Sequence, residues 1–173
     1  DAGTVADEKC KIGMTGPGGG HIFFVDYNDQ YAGFNYLEAA PTSCESASIP
    51  WSSAGTDVTA ARGWAARAVG AGQANTTAIK AVFTGDTIIN NAAYVATSCS
   101  AGGKSDWFLG SLGEMKLMYD NLQGVGGFVE GIYWSSTERA TDFAWGQDFG
   151  FGAGNAGLDK GDLARYVRPV RAF

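Results

Sequence analysis

The chain has a single histidine, His21, and three cysteines, Cys10, Cys44 and Cys99, with no Cys-x-x-Cys pair. Ligand clusters of the zinc type are therefore not expected. His21 sits in an apolar, strand-like run with no serine or cysteine elbow motif beside it, so a Ser-His-Asp triad has no support either. Charge is sparse, at 17% of residues, and the net charge of −6 argues against a nucleic-acid partner, because phosphate binding needs a basic face. No apolar run approaches the roughly 20 residues that span a bilayer. Asp26-Tyr27-Asn28-Asp29 lacks the spacing and the following glycine of an EF-hand loop, so neither a metal nor any other cofactor is expected. There is no initiator methionine and no signal-like segment. Residue 1 is thus expected to be a processing site or a boundary, with room for a partner domain before it. Three cysteines is an odd number: one pair could bond and leave one free, or all three could be buried thiols.

What is present is glycine, 26 of 173 residues, together with 45% hydrophobic residues. Such a chain is long enough for one domain with a sizeable core. Long helical periods are mostly absent, which predicts short strands joined by many turns. Residues 1–10 are polar and expected to fray, leaving one domain over 11–173. His21 to Val25 is β-branched and aromatic and reads as a strand, followed by a turn at 26–29. Tyr36 to Ala40, stopped by Pro41, reads as a second strand. In the loop-like stretch 42–60, Trp51 is the expected anchor. The Ala-rich stretch 60–69 reads as a short helix. Asn75 is placed to cap a helix over 76–83, and Asn90 or Asn91 to cap 92–99. The clearest start is Ser111 with Glu114 three residues on, a capping-box spacing. Leu112, Met115, Leu117, Met118 and Leu122 follow at helical intervals, and Gly124 stops them. Asp106 to Leu109 is strand-like. Turn and capping roles account for Asp26, Asp29, Asp106 and Glu114 before any paired-carboxylate chemistry does.

The last forty-odd residues, 133–173, differ in texture. Large apolar residues recur at fixed places, and the positions between them carry small, acidic or aromatic residues with no period of their own. Strands are predicted at 133–136, 144–149 and 166–170, with 138–143 and 150–164 as connections. Trp134, Trp145 and Phe149 are expected to be buried. Strand alternation then sends Trp145, Gln147 and Phe149 to the core, and Gly146 and Asp148 toward a partner. Gln147 must find backbone partners inside. Arg168 and Arg171 are expected to be scaffold arginines holding loop carbonyls or carboxylates. Glu138 suits scaffold and site rim equally. Phe143, Phe151 and Leu158 stand as interface anchors if exposed, rimmed by Asp142, Asp148, Asp159 and Asp162. Each of them could instead pack under its own loop.

Several of these segments carry a resemblance. Lys11-Ile12-Gly13, Thr15 to Gly20, Ile22 to Val25, Tyr36 to Pro41, Ala74-Asn75-Thr76, Asp106 to Leu109 with Ser111 and Glu114, Leu117-Met118-Tyr119, and the C-terminal block running from Tyr133-Trp134-Ser135-Ser136-Thr137-Glu138 to Val167-Arg168-Pro169-Val170-Arg171 resemble, in order, a large family of C-type-lectin-like domains. One subset of that family consists of variable proteins of diversity-generating retroelements, found in phages, bacteria and archaeal viruses. The resemblance implies an α+β C-type lectin fold and a ligand-binding protein whose C-terminal region, 133–173, is rewritten at adenines and displayed on the scaffold. Relatives are often Asn-rich between frame residues. Here those places hold Arg139, Thr141, Asp142, Phe143, Gly146, Asp148, Phe151, Ala153, Leu158, Asp162, Leu163 and Ala164, and Asn155 remains. Asp, Thr and Gly are reachable from an asparagine codon by changing adenines alone. These twelve residues form the expected variable, ligand-binding surface, with Trp134, Trp145, Phe149, Arg168 and Arg171 as scaffold.

The resemblance further implies display on a virion or cell surface and a protein ligand on a host or neighbouring cell, with a glycan kept open. It implies no nucleic acid and no membrane span. Two other readings remain at this point: an undiversified adhesion or structural module, and an enzyme of the formylglycine-generating type. The latter uses cysteines late in its chain, whereas none follows Cys99 here. The loops of sugar-binding C-type lectins, Glu-Pro-Asn or Gln-Pro-Asp with Trp-Asn-Asp, are absent, and Trp145-Gly146-Gln147-Asp148 is a loose echo.

Overall fold

Strand-forming residues cluster at the two ends of the chain and helix-forming ones in its middle, and the architecture follows. A computed structural model describes residues 10–52, 55–83 and 91–173. The expected fraying of residues 1–9 and the capping role of Asn90 lie outside the described residues. The fold is α+β, with mostly short strands, three α-helices among the described residues and extensive loops.

A three-stranded antiparallel sheet joins β1 (His21–Val25), β2 (Tyr36–Ala39) and β8 (Val170–Ala172), so the chain's end pairs with its beginning. A five-stranded sheet has the order β3 (Ser46–Ala47), β7 (Tyr166–Val167), β4 (Ile132–Ala140), β5 (Phe143–Asp148), β6 (Gly154–Asp159). The strand read over 166–170 is broken. Pro169 has no N–H for a ladder, and the chain there passes from β7 in one sheet to β8 in the other. The segment 150–164, read as a connection, contains β6. Asp106 to Leu109 makes only an isolated bridge, Phe108 with Val170.

The helices are α1 (Gly72–Val82), α2 (Ala92–Thr97) and α3 (Leu112–Leu122). Asn91 caps α2 by accepting the Tyr94 N–H. Ser111 and Glu114 form the capping box of α3. The stretch 60–69 is not one helix: Gly63, at φ 97°, separates two 3-10 turns, Thr59–Ala61 and Ala65–Arg67. Asn75 does not cap α1 but lies inside it, buried, with its amide donating to the Ala66 carbonyl at 2.7 Å and to Ser136 Oγ at 3.2 Å. The N–H groups at the start of α1 are met instead by Glu114, whose Oε1 accepts from Gly70 at 2.8 Å and Gly72 at 3.4 Å. Its Oε2 accepts from Ser111 at 2.8 Å. One buried carboxylate thus serves two helix starts.

The five-stranded sheet is covered on both faces. One face packs Trp134, Ala144, Leu158 and Val167 against Ile79 of α1 and Ala92, Ala93 and Ala96 of α2, with Trp51 and Leu109. The other packs Tyr133 and Phe149 against Met115, Met118 and Leu122 of α3, together with Phe23, Leu37 and Val170 of the small sheet. Neighbouring residues Tyr133 and Trp134, both fully buried, therefore point into different cores. Cys44 and Cys99 form a disulfide, with Cα atoms 5.6 Å apart, and Cys10 is free and half-buried.

Burial raises the Glu114 carboxyl above its ordinary value of 4.5, against the pull of the N–H donors of Ser111, Gly70 and Gly72. The folded group therefore keeps its proton to a higher pH than the unfolded one. Its contribution to stability is full below about pH 4.5 and falls as pH rises through the raised value. Glu114→Gln cannot ionise. In urea unfolding from about pH 4 to about pH 7, the parent's advantage over this variant is expected to shrink as pH rises. A constant difference would refute the assignment.

Candidate binding surface

Strand β5 runs through the middle of the twelve candidate residues, and its two ends present them differently. At the β4–β5 turn, Arg139 and Asp142 are exposed, Thr141 is half-buried, and Phe143 is 36% exposed opposite Asp159 of β6. Thr141 donates to Asp57 Oδ1 at 2.9 Å, and the Asp142 carbonyl accepts the Lys160 N–H at 3.0 Å. The Thr141 hydroxyl and Arg62 hold the Asp57 carboxyl below its ordinary value. The following turn belongs to the same end: Leu163 and Ala164 are exposed, and Asp162 accepts from the Ala164 N–H and pairs with Arg165 at 2.7 Å.

At the other end lies the β5–β6 turn, about 20 Å away along a six-residue strand. Phe151 is 91% exposed there, with Ala153 beside it. Asp148 is half-buried and accepts from the Gly150 and Phe151 N–H groups at 2.8 and 3.1 Å, so it builds the turn rather than rimming a surface. Asp159 does the same for Gly161 at 2.8 Å.

Two of the twelve are core. Leu158 is 9% exposed in the Trp134 cluster. Gly146 is buried: a Cβ there would come 2.7 Å from Leu158 Cδ1, 2.8 Å from the Tyr133 carbonyl oxygen and 2.9 Å from Ile132 Cγ2. The expectation that Gly146 faces a partner while Trp145 faces the core is inverted. At this point of β5 the filled core lies on the side that Ala144 and Gly146 face, and alternation puts Trp145 on the less covered side. Ala144 and Gly146 point into the Trp134 cluster, and Trp145 lies half-buried on the opposite face. There the Arg67 guanidinium rests 4.2 Å from the centroid of its ring, and its Nε1 has no acceptor among the described residues. Trp134 and Phe149 are buried as expected, and so is Gln147, whose Nε2 reaches the Asp148 carbonyl at 3.1 Å while its Oε1 has no donor among the described residues.

The frame around this surface is held by buried charge. Glu138 is fully buried and accepts from Lys160 Nζ at 2.5 Å, from the Val58 N–H at 2.8 Å and from Arg62 Nε at 2.9 Å. Lys160, also fully buried, donates to the Thr56 carbonyl at 2.7 Å and lies 4.7 Å over the Trp51 ring. Arg168 binds Glu45 at 2.6 Å and the carbonyls of Ala40, Gly126 and Gly127. Tyr133 donates to the same Glu45, and burial followed by that bond pushes its phenol well above the ordinary range. Arg171 pairs with Asp106 at 2.6 Å. It also lies 3.8 Å from Glu38, which accepts from the N–H groups of Gly18 and Gly20.

The residues that sequence reasoning missed are Lys160, Arg62, Asp57, Trp64 and Arg67. Nothing in the pattern Leu158-Asp159-Lys160-Gly161-Asp162 marks the lysine as buried. Trp64 carried a signal, a large ring between Gly63 and alanines, but the segment was read as a helix.

A cleft of about 250 Å3 exists beside α1, lined by Gln73, Thr76, Lys80, Thr97, Asp106 and Trp107, and includes no candidate residue. Among the described residues, no group of three His, Cys, Asp or Glu side chains is arranged to hold a metal ion, and no helix is long and apolar enough to cross a membrane.

Two stability outcomes follow from these placements. Gly146→Asn and Leu158→Asn are expected to lower the melting temperature strongly, by clash and by burial of an amide, while Phe151→Asn and Leu163→Asn stay within about 0.5 kcal/mol of the parent. Equal melting of all four would refute the division. Lys160→Met leaves Glu138 with a buried charge and one cation fewer, and is expected to cost about 3–5 kcal/mol in urea unfolding. No protein-family model matches the chain, and no curated protein matches it.

Proposed function

We propose that this protein is a ligand-binding protein on a C-type-lectin-like scaffold, whose 133–173 segment is a displayed, diversifiable surface. The observation that carries the reading is the separation within that segment. Arg139, Asp142, Phe143, Phe151, Ala153, Leu163 and Ala164 are exposed, while Trp134, Phe149, Arg168 and Arg171, a few residues away, are buried and bonded. Exposed phenylalanine and leucine on turns suit recognition, since aromatic anchors dominate protein interfaces. A frame already ordered by buried hydrogen bonds lowers the ordering cost of binding. The ligand is a protein on a host or neighbouring cell, and the chain acts at a virion or cell surface. The Cys44–Cys99 disulfide fits an oxidising exterior.

Two measurements test this. The DNA downstream of the gene is expected to hold a near-copy of the 3′ segment that differs at adenines. A variant with Arg139, Phe143, Phe151 and Leu163 all changed to serine is expected to melt near the parent and to lose binding to partners found by screening host-surface proteins. A 3′ segment invariant across isolates with no copy nearby removes the diversification. Unfolding of the fourfold variant removes the display.

A further inference from the structure

Trp64 is 84% exposed, in the bend between the two 3-10 turns, on an element outside the 133–173 segment. The Arg67 guanidinium lies 4.6 Å from its ring centroid and 4.2 Å from that of Trp145, so one cation is shared by an exposed indole and a half-buried one. Arg67 Nε has no acceptor among the described residues. Four of the arginines, Arg62, Arg165, Arg168 and Arg171, pair with carboxylates. Arg67 and Arg139 pair with none among the described residues.

Arg139 joins the same place. Its Nη1 comes 3.2 Å from where a Cβ would stand on Gly157 of β6. Strand β6 is separated from Arg139's own β4 by β5, so the side chain lies across β5. The face holding the Trp134 cluster is filled, so the crossing is on Trp145's side. Ala156 and Gly157 fall opposite Trp145 in the β5–β6 register, and Gly157 adds no side chain to the floor. The result is a shallow platform with two guanidiniums lacking carboxylates beside two indoles, in a protein whose net charge is −6. The carboxylates nearby are partly committed: Asp148, Asp159 and Asp162 each bond turn N–H groups, and Asp162 also pairs with Arg165.

We infer that Trp64, Arg67 and Trp145 form a fixed anchor that takes an acidic patch of a protein partner, with Arg139 of the diversifiable turns beside it. The inference rests on the display reading and adds to it a contact that does not depend on residues 133–173 for its exposed ring. Tryptophan and arginine are the residues most enriched at binding hot spots, and a cation–π pair strengthens when a partner removes it from water. A guanidinium already held against two rings loses little freedom on meeting a carboxylate. An acidic partner is the complement of the two free cations.

The test is selection of a phage-displayed random peptide library on the immobilised parent, followed by titration of the chosen synthetic peptides against variants. Selected peptides are expected to be rich in Asp and Glu. Trp64→Ala and Arg67→Gln are each expected to weaken them by about 30-fold, and Arg139→Gln less, with the Trp64→Ala melting temperature unchanged. Selection of no peptides, or of neutral or basic ones, overturns the anchor, as do acidic peptides that bind Trp64→Ala like the parent. Trp64-dependent binding of heparin without acidic-peptide binding also overturns it, in favour of a glycan. If binding falls with Phe143→Ser and Leu163→Ser but not with Trp64→Ala, the display reading stands and the anchor fails. If only the Trp64 and Arg67 variants lose binding, the anchor stands and the display reading fails.

Discussion

Four consecutive polar residues, Ser135, Ser136, Thr137 and Glu138, are buried in the middle of β4, and each is bonded to a different part of the chain. Ser135 donates to the Trp145 carbonyl, and its own carbonyl accepts the Trp51 indole N–H at 2.7 Å. Ser136 takes the Asn75 amide on its hydroxyl and gives its N–H to the Gly110 carbonyl at 2.7 Å. Thr137 donates to the Ala66 carbonyl and accepts from the Leu112 N–H. Glu138 gathers Val58, Arg62 and Lys160. An unmet polar group at such a depth costs about 1–3 kcal/mol, and a charged one more. The loops at 56–66 and 109–112 and the starts of two helices are therefore fixed in position by the same strand. An apolar β4 would pack as well, but it would leave the loops nothing to bind.

This explains how a chain with 26 glycines and so much irregular structure holds one shape. Glycine-rich loops have backbone groups to satisfy and few side chains to satisfy them with. Here buried carboxylates fill that need: Glu38 for the loop at 16–20, Glu114 for 70–72, and Glu138 for 56–62. Each carboxylate accepts from two or more donors at once, and its two oxygens offer about four acceptor sites where an amide or hydroxyl oxygen has two. Arginine does the converse at the other end, where Arg168 donates to three carbonyls and to Glu45. The exposed turns hang from this network, with Lys160 tying the chain after β6 to Glu138 of β4 and to the Thr56 carbonyl.

Elements with a local cause were legible in the sequence. The capping box at Ser111 and Glu114, the strand at His21–Val25 and the cap at Asn91 each depend on residues within four positions of one another. What was not legible depends on partners far along the chain. Asn75 has the composition of a cap, but its partners are Ala66 and Ser136, and the helix begins three residues earlier at Gly72, whose N–H is met by Glu114 from 42 residues away. The sides of Gly146 and Trp145 come out inverted because period 2 says only that they differ, and which side of β5 is filled depends on Ile79, Ala92 and Trp51 far along the chain. The burial of Lys160 had no local signature at all. The coarse α+β class was readable, since it rests on composition and on the scarcity of long helical periods.

Two-sided burial also limits which residues of 133–173 could change without disturbing a core. In a sheet with one wet face, every second residue of β5 and β6 would be free. Here Ala144, Gly146 and Leu158 close one core and Phe149 closes the other, while Trp145 is held by Arg67. Freedom is confined to the turns at 139–143, 151–153 and 162–164. Those lie at opposite ends of β5, about 20 Å apart, within the span of about 800 Å2 that each partner of an ordinary interface contributes. A single ligand that touched both ends would have to cross the intervening face of the sheet. That face holds Trp145 and the guanidinium it shares with Trp64, so the exposed turns border a surface built partly on residues outside 133–173.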